Sequence, residues 1–511
     1  VIMVTIQKSH DDYRHYYCGN LDNGLRYVIV HDPKVNMDSM SLNLRCGSMQ
    51  DPSRLEGIGE YVRLTVVNDC KSFPDEPLST YSLFQAGCFD SAVYPEDTIF
   101  NMEVPDICGG IERLSTHLMK PNFRTEVNHK LLSQIDNAMR EKRQSQCHRS
   151  ERLFHFLAKD GSRLQKIYSA NSRTLSLPNI QVLAQRFYTE YYRPELMTLC
   201  IVTSLDVKDI EKCVITHFDD FLPVCQLSSS RSGSPRSSAG SSSSPRLGED
   251  LPYDEQNCGN LIKVVSVDSS RLVKLSWNLD ISTRKYYKSN PLGYLACLIH
   301  KEIFNRLRIK KLATGVDIME TFPTATSTCF SVTAEITSRG FQNYKEVVKT
   351  ILEVVTKAKR LADDFGSFVA VSGEARKEFD CRFSRINAVN AEDIAIRMHQ
   401  FPTRDLLTAQ NLLTLCDPDT FKKVFQKLSK RNLNIYVEAP EWAGRLNNNE
   451  EENLFQISYS KTSFCENFSD TTTTTTNSCL STSSNMGNET LKSEPSIGLG
   501  SFIKTATYTF Q

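Results

Sequence analysis

The sequence predicts an α+β fold built from two tandem repeats of the same kind of domain. Residues 17–225 and residues 258–442 each follow the order strand, helix, strand, long helix, further helices and closing strand. Alternating apolar and polar residues predict the strands, and apolar residues at helical spacing predict the helices. Because the same order occurs twice in one chain, we expect two copies of one α+β domain.

In the first stretch, residues 17–225, a strand is predicted where Leu42, Leu44 and Cys46 alternate with polar residues. A helix is predicted after Gly57. The segments "DTIFNMEV" and "LMTLCIVTS" predict two further strands, and "DICGGIERLSTHLMK" predicts the long helix.

The second stretch, residues 258–442, repeats this order with different residues. Leu275, Trp277 and Leu279 alternate with polar residues and predict a strand, which a helix in "PLGYLACLIHKEIFNRL" follows. An alternating run from Phe330 to Ile336 predicts the next strand. The long helix is predicted in "YKEVVKTILEVVTKAKR" and the closing strand in "LNIYVEA".

Two polar segments are predicted to be disordered. Residues 226–257 form a linker with the Ser-rich sequence "LSSSRSGSPRSSAGSSSSPRLG", and residues 443–511 form a Thr-, Ser- and Asn-rich tail that includes a run of threonines from Thr471 to Thr476. Neither composition supplies the apolar surface that a core requires.

The overall composition is that of a globular chain, with 40% hydrophobic and 23% charged residues and a formal net charge of zero. This charge balance does not indicate binding to nucleic acid or to an anionic membrane. No run of about 18 or more apolar residues predicts a membrane span. The 16 cysteines include no C-x-x-C pair, so we expect most of them to be small buried residues. The chain begins with Val1, so we expect a fragment or a processed form; the composition does not indicate a compartment.

Four stretches resemble the insulinase/pitrilysin zinc metallopeptidases, in particular the insulysin branch. In chain order they are "LDNGLRYVIVHDP", "RCGSMQDPSRLEGIGEYVRL", "YYRPELMTLCIVT" and "KYYKSNPLGYLACLIH". The resemblance extends from Leu21 to about Trp442, apart from the Ser-rich insert. It implies insulinase-type domains, each an antiparallel sheet flanked by helices, with residues 17–225 as a degenerate peptidase domain and residues 258–442 as a non-catalytic repeat.

The resemblance also implies a missing half. Full-length insulysin-type enzymes have four such domains, in two halves that enclose a chamber, and this chain would supply the N-terminal half. The other half would lie on a longer parent chain or on another polypeptide.

The family's catalytic helix carries the inverted zinc motif H-x-x-E-H. Two imidazoles on one helix face bind the ion, and the intervening Glu acts as general base on a metal-bound water. The resemblance places Glu60 at the first His position, Arg63 at the Glu position and Leu64 at the second His position. Leu64 has no lone pair for a metal, and Arg63 has no acceptor atom and cannot deprotonate water. We therefore expect no zinc in this chain.

The resemblance places Glu141 at the position of the family's third metal ligand, which would be retained. We hypothesise that Glu60, Arg63 and Glu141 form an ion cluster that replaces the metal. The alternative is an ordinary exposed Glu60–Arg63 pair and a solvated Glu141. No second donor at metal-ligand spacing accompanies the other nearby candidates, which are Asp69, Cys70, His117 and His129.

By the same resemblance, a peptide would bind as an added strand on an exposed sheet edge. The corresponding stretch is "AGCFDSAVYPED", which places the substrate-binding edge at Asp90, Ser91, Ala92 and Val93. Main-chain pairing tolerates side-chain change and can persist without catalysis. Pro95 is expected to interrupt this strand and remove one donor. An ordinary edge strand is the alternative.

By the same resemblance, the family's second substrate anchor lies next to a glycine-rich turn, which comes after the helix segment that here contains His300 and Glu302. Here that turn is replaced by a basic stretch that we expect to continue the helix, with a solvated face formed by Arg306, Arg308, Lys310 and Lys311. The departure leaves the second anchor unsupported.

Two functions follow from these residues. The first is a catalytically inactive insulinase-family homologue that acts as a peptide-binding or scaffolding half. It would require no cofactor and could pair with an active subunit or a C-terminal half. The alternative is an active zinc metalloendopeptidase whose metal site is non-standard or is completed by a partner, which requires several ligand donors that converge in space.

Overall fold

The computed structural model describes residues 6–74, 76–123, 129–221, 251–324, 326–385 and 389–464. The chain divides into two compact units. The first extends to Gly248 and includes Phe379–Ala409, and the second contains Glu249–Glu378 and the chain from Gln410 onward.

The first unit contains a six-stranded sheet and the helices that cover it. Its strands are β1 (His15–Asn20), β2 (Arg26–His31), β3 (Asp38–Leu44), β4 (Cys88–Val93), β5 (Thr98–Val104) and β6 (Met197–Thr203). Its helices are α1 (Ile58–Asn68), α2 (Leu78–Phe84), α3 (Ile107–Met119), α4 (His129–Gln144), α5 (Gln146–Phe156), α6 (Ser172–Leu175), α7 (Ile180–Tyr191) and α8 (Val207–Phe218).

The second sheet has seven strands. They are β7 (Asn260–Val265), β8 (Leu272–Leu279), β9 (Ala313–Thr324), β10 (Ser327–Ile336), β11 (Leu433–Ala439), β12 (Glu450–Glu452) and β13 (Ile457–Ser463). The remaining helices are α9 (Pro291–Ile309), α10 (Ser338–Gln342), α11 (Tyr344–Ala358), α12 (Phe365–Arg385), α13 (Ala391–Gln400) and α14 (Pro418–Lys427).

The two sheets have corresponding strand orders, β1-β2-β6-β3-β5-β4 and β12-β13-β7-β11-β8-β10-β9. All neighbours are antiparallel except β2 with β6 in the first sheet and β7 with β11 in the second. The central strands also correspond: Leu42 on β3 lies between Leu199 and Phe100, and Leu275 on β8 lies between Ile435 and Val332. The predicted α+β class with two helix-flanked sheets is confirmed, with the addition of one parallel pair in each sheet.

The alternation that predicted the strands also explains their packing. Leu42, Phe100 and Leu199 have no exposed surface in the first sheet, and Trp277 and Phe330 are buried side by side in the second. Burying one face of each sheet under helices removes this apolar area from water, which stabilises each unit by about 25 cal/mol for every Å² buried. The strands therefore form where period-two apolar residues can face a helix layer.

The predicted tail, residues 443–511, is not disordered throughout. Residues 450–463 supply β12 and β13, and β13 pairs antiparallel with β7, as β1 pairs with β2 in the first sheet. This pairing satisfies main-chain groups that β7 would otherwise expose. The chain from residue 465 onward lies outside the described residues.

The predicted linker, residues 226–257, also needs a correction at its end. Its Ser-rich part lies outside the described residues, but residues 251–257 belong to the second unit, where Tyr253 is buried. Disorder was predicted from the composition of the whole segment, whereas one large aromatic side chain is enough to hold its end against a core.

Helix α13 packs on the first sheet although it follows most of the second unit in the sequence. Thr198 on β6 donates a hydrogen bond to the carbonyl oxygen of Ala395 at 2.7 Å, and Asn101 on β5 donates to the Glu392 carboxylate at 2.8 Å. The sheet face beneath α13 thus contains hydrogen-bonding side chains. Polar groups covered by a helix need such partners, and these bonds position α13.

Two further features concern the cysteines and the helices. Cys108 and Cys213 form a disulfide that joins α3 to α8, and Cys46, Cys70, Cys200 and Cys329 are buried free thiols.

In the part of the chain that the structure describes, no helix combines the length and the apolar character that crossing a bilayer requires.

Candidate functional site

The start of helix α1 is fixed by a buried carboxylate and a glycine. Asp51 accepts hydrogen bonds from the backbone N–H groups of Gly57 at 2.6 Å and Gly59 at 3.0 Å. Gly57 has φ = 96°, and a Cβ there would lie 2.7 Å from the Cβ of Ala170. Glycine is therefore required at this position. Burial raises the pKa of Asp51 to about 7, against the opposing effect of the two N–H donors.

Glu60 and Arg63 form a two-pronged ion pair on α1. The Arg63 Nη2 lies 2.6 Å from Glu60 Oε1, and Nε lies 3.0 Å from Oε2. Their side chains are only 11% exposed for Arg63 and 22% exposed for Glu60. The predicted alternative of an ordinary exposed pair is therefore wrong. Burial disfavours both charges, but mutual attraction outweighs it, so the pKa of Glu60 is lowered and that of Arg63 is raised.

Arg63 also connects α1 to the sheet. Its Nη1 donates a hydrogen bond to Ser91 Oγ on β4 at 2.5 Å. One guanidinium thus holds the Glu60 carboxylate and the edge strand at the same time. Leu64, the third motif position, is buried and presents only hydrocarbon.

Glu141 does not join this pair, so the hypothesised Glu60–Arg63–Glu141 cluster forms only in part. Glu141 is exposed on α4, whereas the next residue, Lys142, is half-buried. The charges of Glu60 and Arg63 both act on the pKa of Lys142. The buried face of α4 includes Ile135 and Met139. Lys142 follows Met139 by three positions and so shares its face, while Glu141 points elsewhere.

Among the described residues, Lys142 is a cation with no close counter-ion. No carboxylate of the described residues lies within ion-pair distance of it, and its Nζ lies 5.0 Å from the centre of the Tyr168 ring. Burial lowers the pKa of Lys142, while Glu60 and Glu151 act to raise it. Glu151 itself accepts a hydrogen bond from the Tyr168 hydroxyl at 2.8 Å.

Arg63 and Glu60 both influence the pKa of the hydroxyl of a buried tyrosine, Tyr192. Tyr192 is 3% exposed, and its hydroxyl has no hydrogen-bond partner among the described residues. Burial holds the pKa of this hydroxyl well above its ordinary value, so it is a neutral donor. Sequence reasoning missed Tyr192 and Lys142. The helical period of α4 could have identified Lys142, whereas nothing local indicates an unsatisfied hydroxyl at Tyr192.

The donors around α1 do not fit a zinc ion. Two imidazoles and a carboxylate are replaced by an arginine, a leucine and a carboxylate that is already paired. Across the described residues, no group of three His, Cys, Asp or Glu side chains could hold a metal. Among the alternative donors considered above, His117 is buried, with Nδ1 at 2.8 Å from the carbonyl oxygen of Val66.

The four predicted substrate-binding residues, Asp90, Ser91, Ala92 and Val93, all lie on β4. β4 pairs with β5 and is the last strand of its sheet, so its other edge has no strand partner among the described residues. The prediction that Pro95 interrupts this strand is wrong, because β4 ends at Val93. Pro95 lies in the following turn, where its carbonyl accepts a hydrogen bond from Met49 at 3.0 Å.

In the second unit, the basic stretch at the end of α9 differs from its prediction. The helix ends at Ile309, and Lys311 has φ = 57°, so the stretch is not one continuous helix. Arg306 pairs with Glu302 at 2.6 Å and Lys310 pairs with Glu346 at 2.9 Å. These charges neutralise one another at the surface.

Comparison with known proteins relates most of the chain to the insulinase peptidases, as the sequence resemblance implies. Residues 184–364 match the model of the peptidase M16 inactive domain, and residues 384–484 match the model of the middle or third domain of peptidase M16. The insulin-degrading enzyme of Drosophila melanogaster is 24% identical over 451 residues, which cover 84% of this chain and 43% of that protein. Nardilysin of Homo sapiens is 23% identical over 413 residues, 76% of this chain and 34% of that protein.

The fold is also similar to that of a solved structure, pitrilysin. The crystal structure of pitrilysin superposes with a TM-score of 0.78 at 19% identity, covering 91% of this chain and 48% of that chain. The chain belongs to the insulinase (M16) peptidase family. It spans less than half the length of these two curated relatives and of pitrilysin.

Proposed function

We propose that this chain is a catalytically inactive insulinase-family homologue that serves as a peptide-binding half of a larger assembly. The observation that carries this proposal is the position of Arg63. Its guanidinium is held by Glu60 and by Ser91 of the edge strand, on the helix face where the family's metal motif would lie.

The chemistry of these side chains supports the absence of hydrolysis. A guanidinium offers only donors and stays protonated, so it can neither bind a cation nor accept a proton from water. Glu60 is the one carboxylate of this helix face, and its two oxygens are occupied by Arg63. Leu64 offers no ligand atom. These three side chains therefore supply neither a metal site nor a base for the activation of a water molecule.

Peptide binding is supported by the outer edge of β4, which has no strand partner among the described residues. An extended peptide can hydrogen-bond to main-chain groups there without requiring particular side chains. The Arg63–Ser91 hydrogen bond ties this edge to a rigid helix, which reduces the entropy lost on binding. Asp90, Ser91, Ala92 and Val93 would form the main-chain contacts.

A partner half is supported by the length of the chain. The relatives continue well beyond the region that this chain matches, so a C-terminal insulinase-type half, or an active subunit, would complete the assembly. A half without its own metal can still shape the peptide-binding surface of such an assembly.

The second candidate is an active zinc metalloendopeptidase whose metal site is non-standard or is completed by a partner. The observation that favours it is the relationship itself, because the matched relative in Drosophila melanogaster carries the name insulin-degrading enzyme.

Metal analysis and a cleavage assay on the purified chain separate the two candidates. We expect zinc well below one equivalent and no cleavage of a quenched fluorescent peptide library, with or without added zinc. Stoichiometric zinc together with cleavage that a chelator abolishes would establish the second candidate. The human insulin-degrading enzyme, assayed beside it, controls for the library and the buffer.

A further inference from the structure

The side chains around Arg63 offer more hydrogen-bond donors than acceptors. Three N–H groups of Arg63 bind Glu60 and Ser91, and its remaining N–H groups have no partner among the described residues. The Lys142 ammonium and the Tyr192 hydroxyl add further donors that the described residues leave unused. A site with spare donors is complementary to a ligand that carries acceptors.

The pairing of the charges leaves one cation unmatched. Arg63 and Glu60 neutralise each other, which leaves Lys142 as a half-buried cation with no close carboxylate among the described residues. A partly desolvated ammonium is stabilised when an anion binds next to it. Asp90 and Glu151 influence Arg63 and Lys142 respectively, but neither lies within ion-pair distance of them. Both carboxylates weaken the attraction for an anion without occupying the place beside the cations.

The edge strand brings a ligand to this place. Ser91 lies inside β4 with its side chain directed at Arg63, so a strand added to β4 would place one side chain of every two on the same side. Directly opposed residues on neighbouring strands have Cβ atoms about 4.5–5.5 Å apart. A carboxylate on the residue opposite Ser91 would therefore come within reach of the Arg63 guanidinium.

We propose that Arg63, Lys142 and Tyr192 form a subsite that binds the side-chain carboxylate of an Asp or Glu within an extended peptide paired to β4. This inference rests on the proposed peptide-binding function and specifies its ligand. An internal side chain is favoured over a chain terminus because β4 continues on both sides of Ser91, from Cys88 to Val93. The family's metal position is thus reused to recognise an anion.

A matched set of peptides tests the subsite. The probes are a nine-residue peptide of alternating Thr and Val with Glu at its centre, acetylated and amidated, and the same peptide with Gln. A third peptide ends at the Glu with a free carboxylate. We expect the central-Glu peptide to bind at least tenfold more tightly than the Gln peptide in titration calorimetry. Tighter binding of the free-terminus peptide would overturn the assignment to a side chain.

Variants locate the effect. Lys142→Met is expected to reduce the Glu-over-Gln preference to less than threefold, and Lys142→Arg is expected to restore it, since only the charge is shared by Lys and Arg. Circular dichroism checks that both variants are folded. A preference unchanged in Lys142→Met, or equal binding of the Glu and Gln peptides to the parent, would refute the subsite while leaving strand addition intact.

Failure of the proposed function gives a different result. N-acetyl-glutamate methylamide carries the carboxylate but cannot form a strand. If no peptide binds, yet this compound raises the melting temperature of the parent and not of Lys142→Met, the subsite holds and strand addition is wrong. If neither the peptides nor this compound binds, both proposals are refuted.

Discussion

Breaking the Glu60–Arg63 pair gives the most informative prediction about this site. Arg63→Met removes the guanidinium and leaves the Glu60 carboxylate largely buried, with 22% of its side chain exposed. Removing one partner of a buried pair costs about 3–5 kcal/mol. Partial exposure and the neighbouring cation Lys142 reduce this cost, so we expect a loss of about 2–3 kcal/mol in the free energy of opening of α1.

The double variant Glu60→Gln/Arg63→Met removes both charges. It is expected to cost only about 1–2 kcal/mol, less than the sum of the two single variants, because no charge is left buried. This non-additivity distinguishes a coupled pair from two independent surface residues.

The assay is native-state hydrogen exchange of α1 at neutral pH. Both tryptophans, Trp277 and Trp442, lie in the second unit, so their fluorescence reports the stability of that unit in every variant. The stability of the second unit is expected to stay unchanged in these variants. A change below about 0.5 kcal/mol in α1 for Arg63→Met, or additive single variants, would refute the buried pair.

The effect of Arg63→Met also has a defined pH dependence. Because the folded-state pKa of Glu60 is lowered, its contribution to stability is complete above its unfolded pKa of about 4.3 and is lost as the pH falls through the folded value. Without Arg63, burial raises the pKa of Glu60, so the difference between the parent and Arg63→Met should shrink as the pH falls from neutral to below about pH 4.

Three further predictions concern the scaffold. Asp51→Ala removes the acceptor of two backbone N–H groups at the start of α1. It should lower the free energy of opening of α1, measured by hydrogen exchange, by about 1–3 kcal/mol. Unchanged exchange rates in the first turn of α1 would contradict this role. Gly57→Ala should destabilise the same region by about 1–3 kcal/mol, because its φ is 96° and its Cβ would meet Ala170; wild-type stability would show that the turn relaxes. Glu320 is buried on β9, and burial raises its pKa to about 7, so stability of the second unit should fall as the pH rises from about 4.3 through 7. Glu320→Gln should remove this dependence in urea unfolding followed by tryptophan fluorescence, and a dependence that persists would assign it to another group.

The sequence predicts the repeated architecture because local alternation and helical periodicity agree with the packing. Leu42 and Phe330 mark strands in their own neighbourhoods, and both are fully buried. It does not predict β13 or the docking of α13 on the first sheet, since both depend on partners far away in the chain. Composition alone assigned Ile457–Ser463 to a disordered tail.

The site was predicted in part for a related reason. Glu60, Arg63 and the edge at Ser91 could be placed by resemblance, and the structure brings these three together. Glu141 was placed by counting residues, and one position on a helix turns a side chain by about 100°. That single step exchanges an exposed carboxylate for the half-buried Lys142, which influences the Glu60–Arg63 pair.

Zinc binding by a reverted helix tests the central claim most directly. The variant carries Glu60→His, Arg63→Glu, Leu64→His and Lys142→Glu, and the control carries only the first three substitutions, with Glu141 unchanged. Titration calorimetry of the folded proteins should show about one zinc bound tightly by the four-substitution variant, much weaker binding by the control and none by the parent. Equally tight zinc binding by the control would return the third-ligand role to Glu141. Tight binding by the parent would contradict the claim that Arg63 has taken the metal's place.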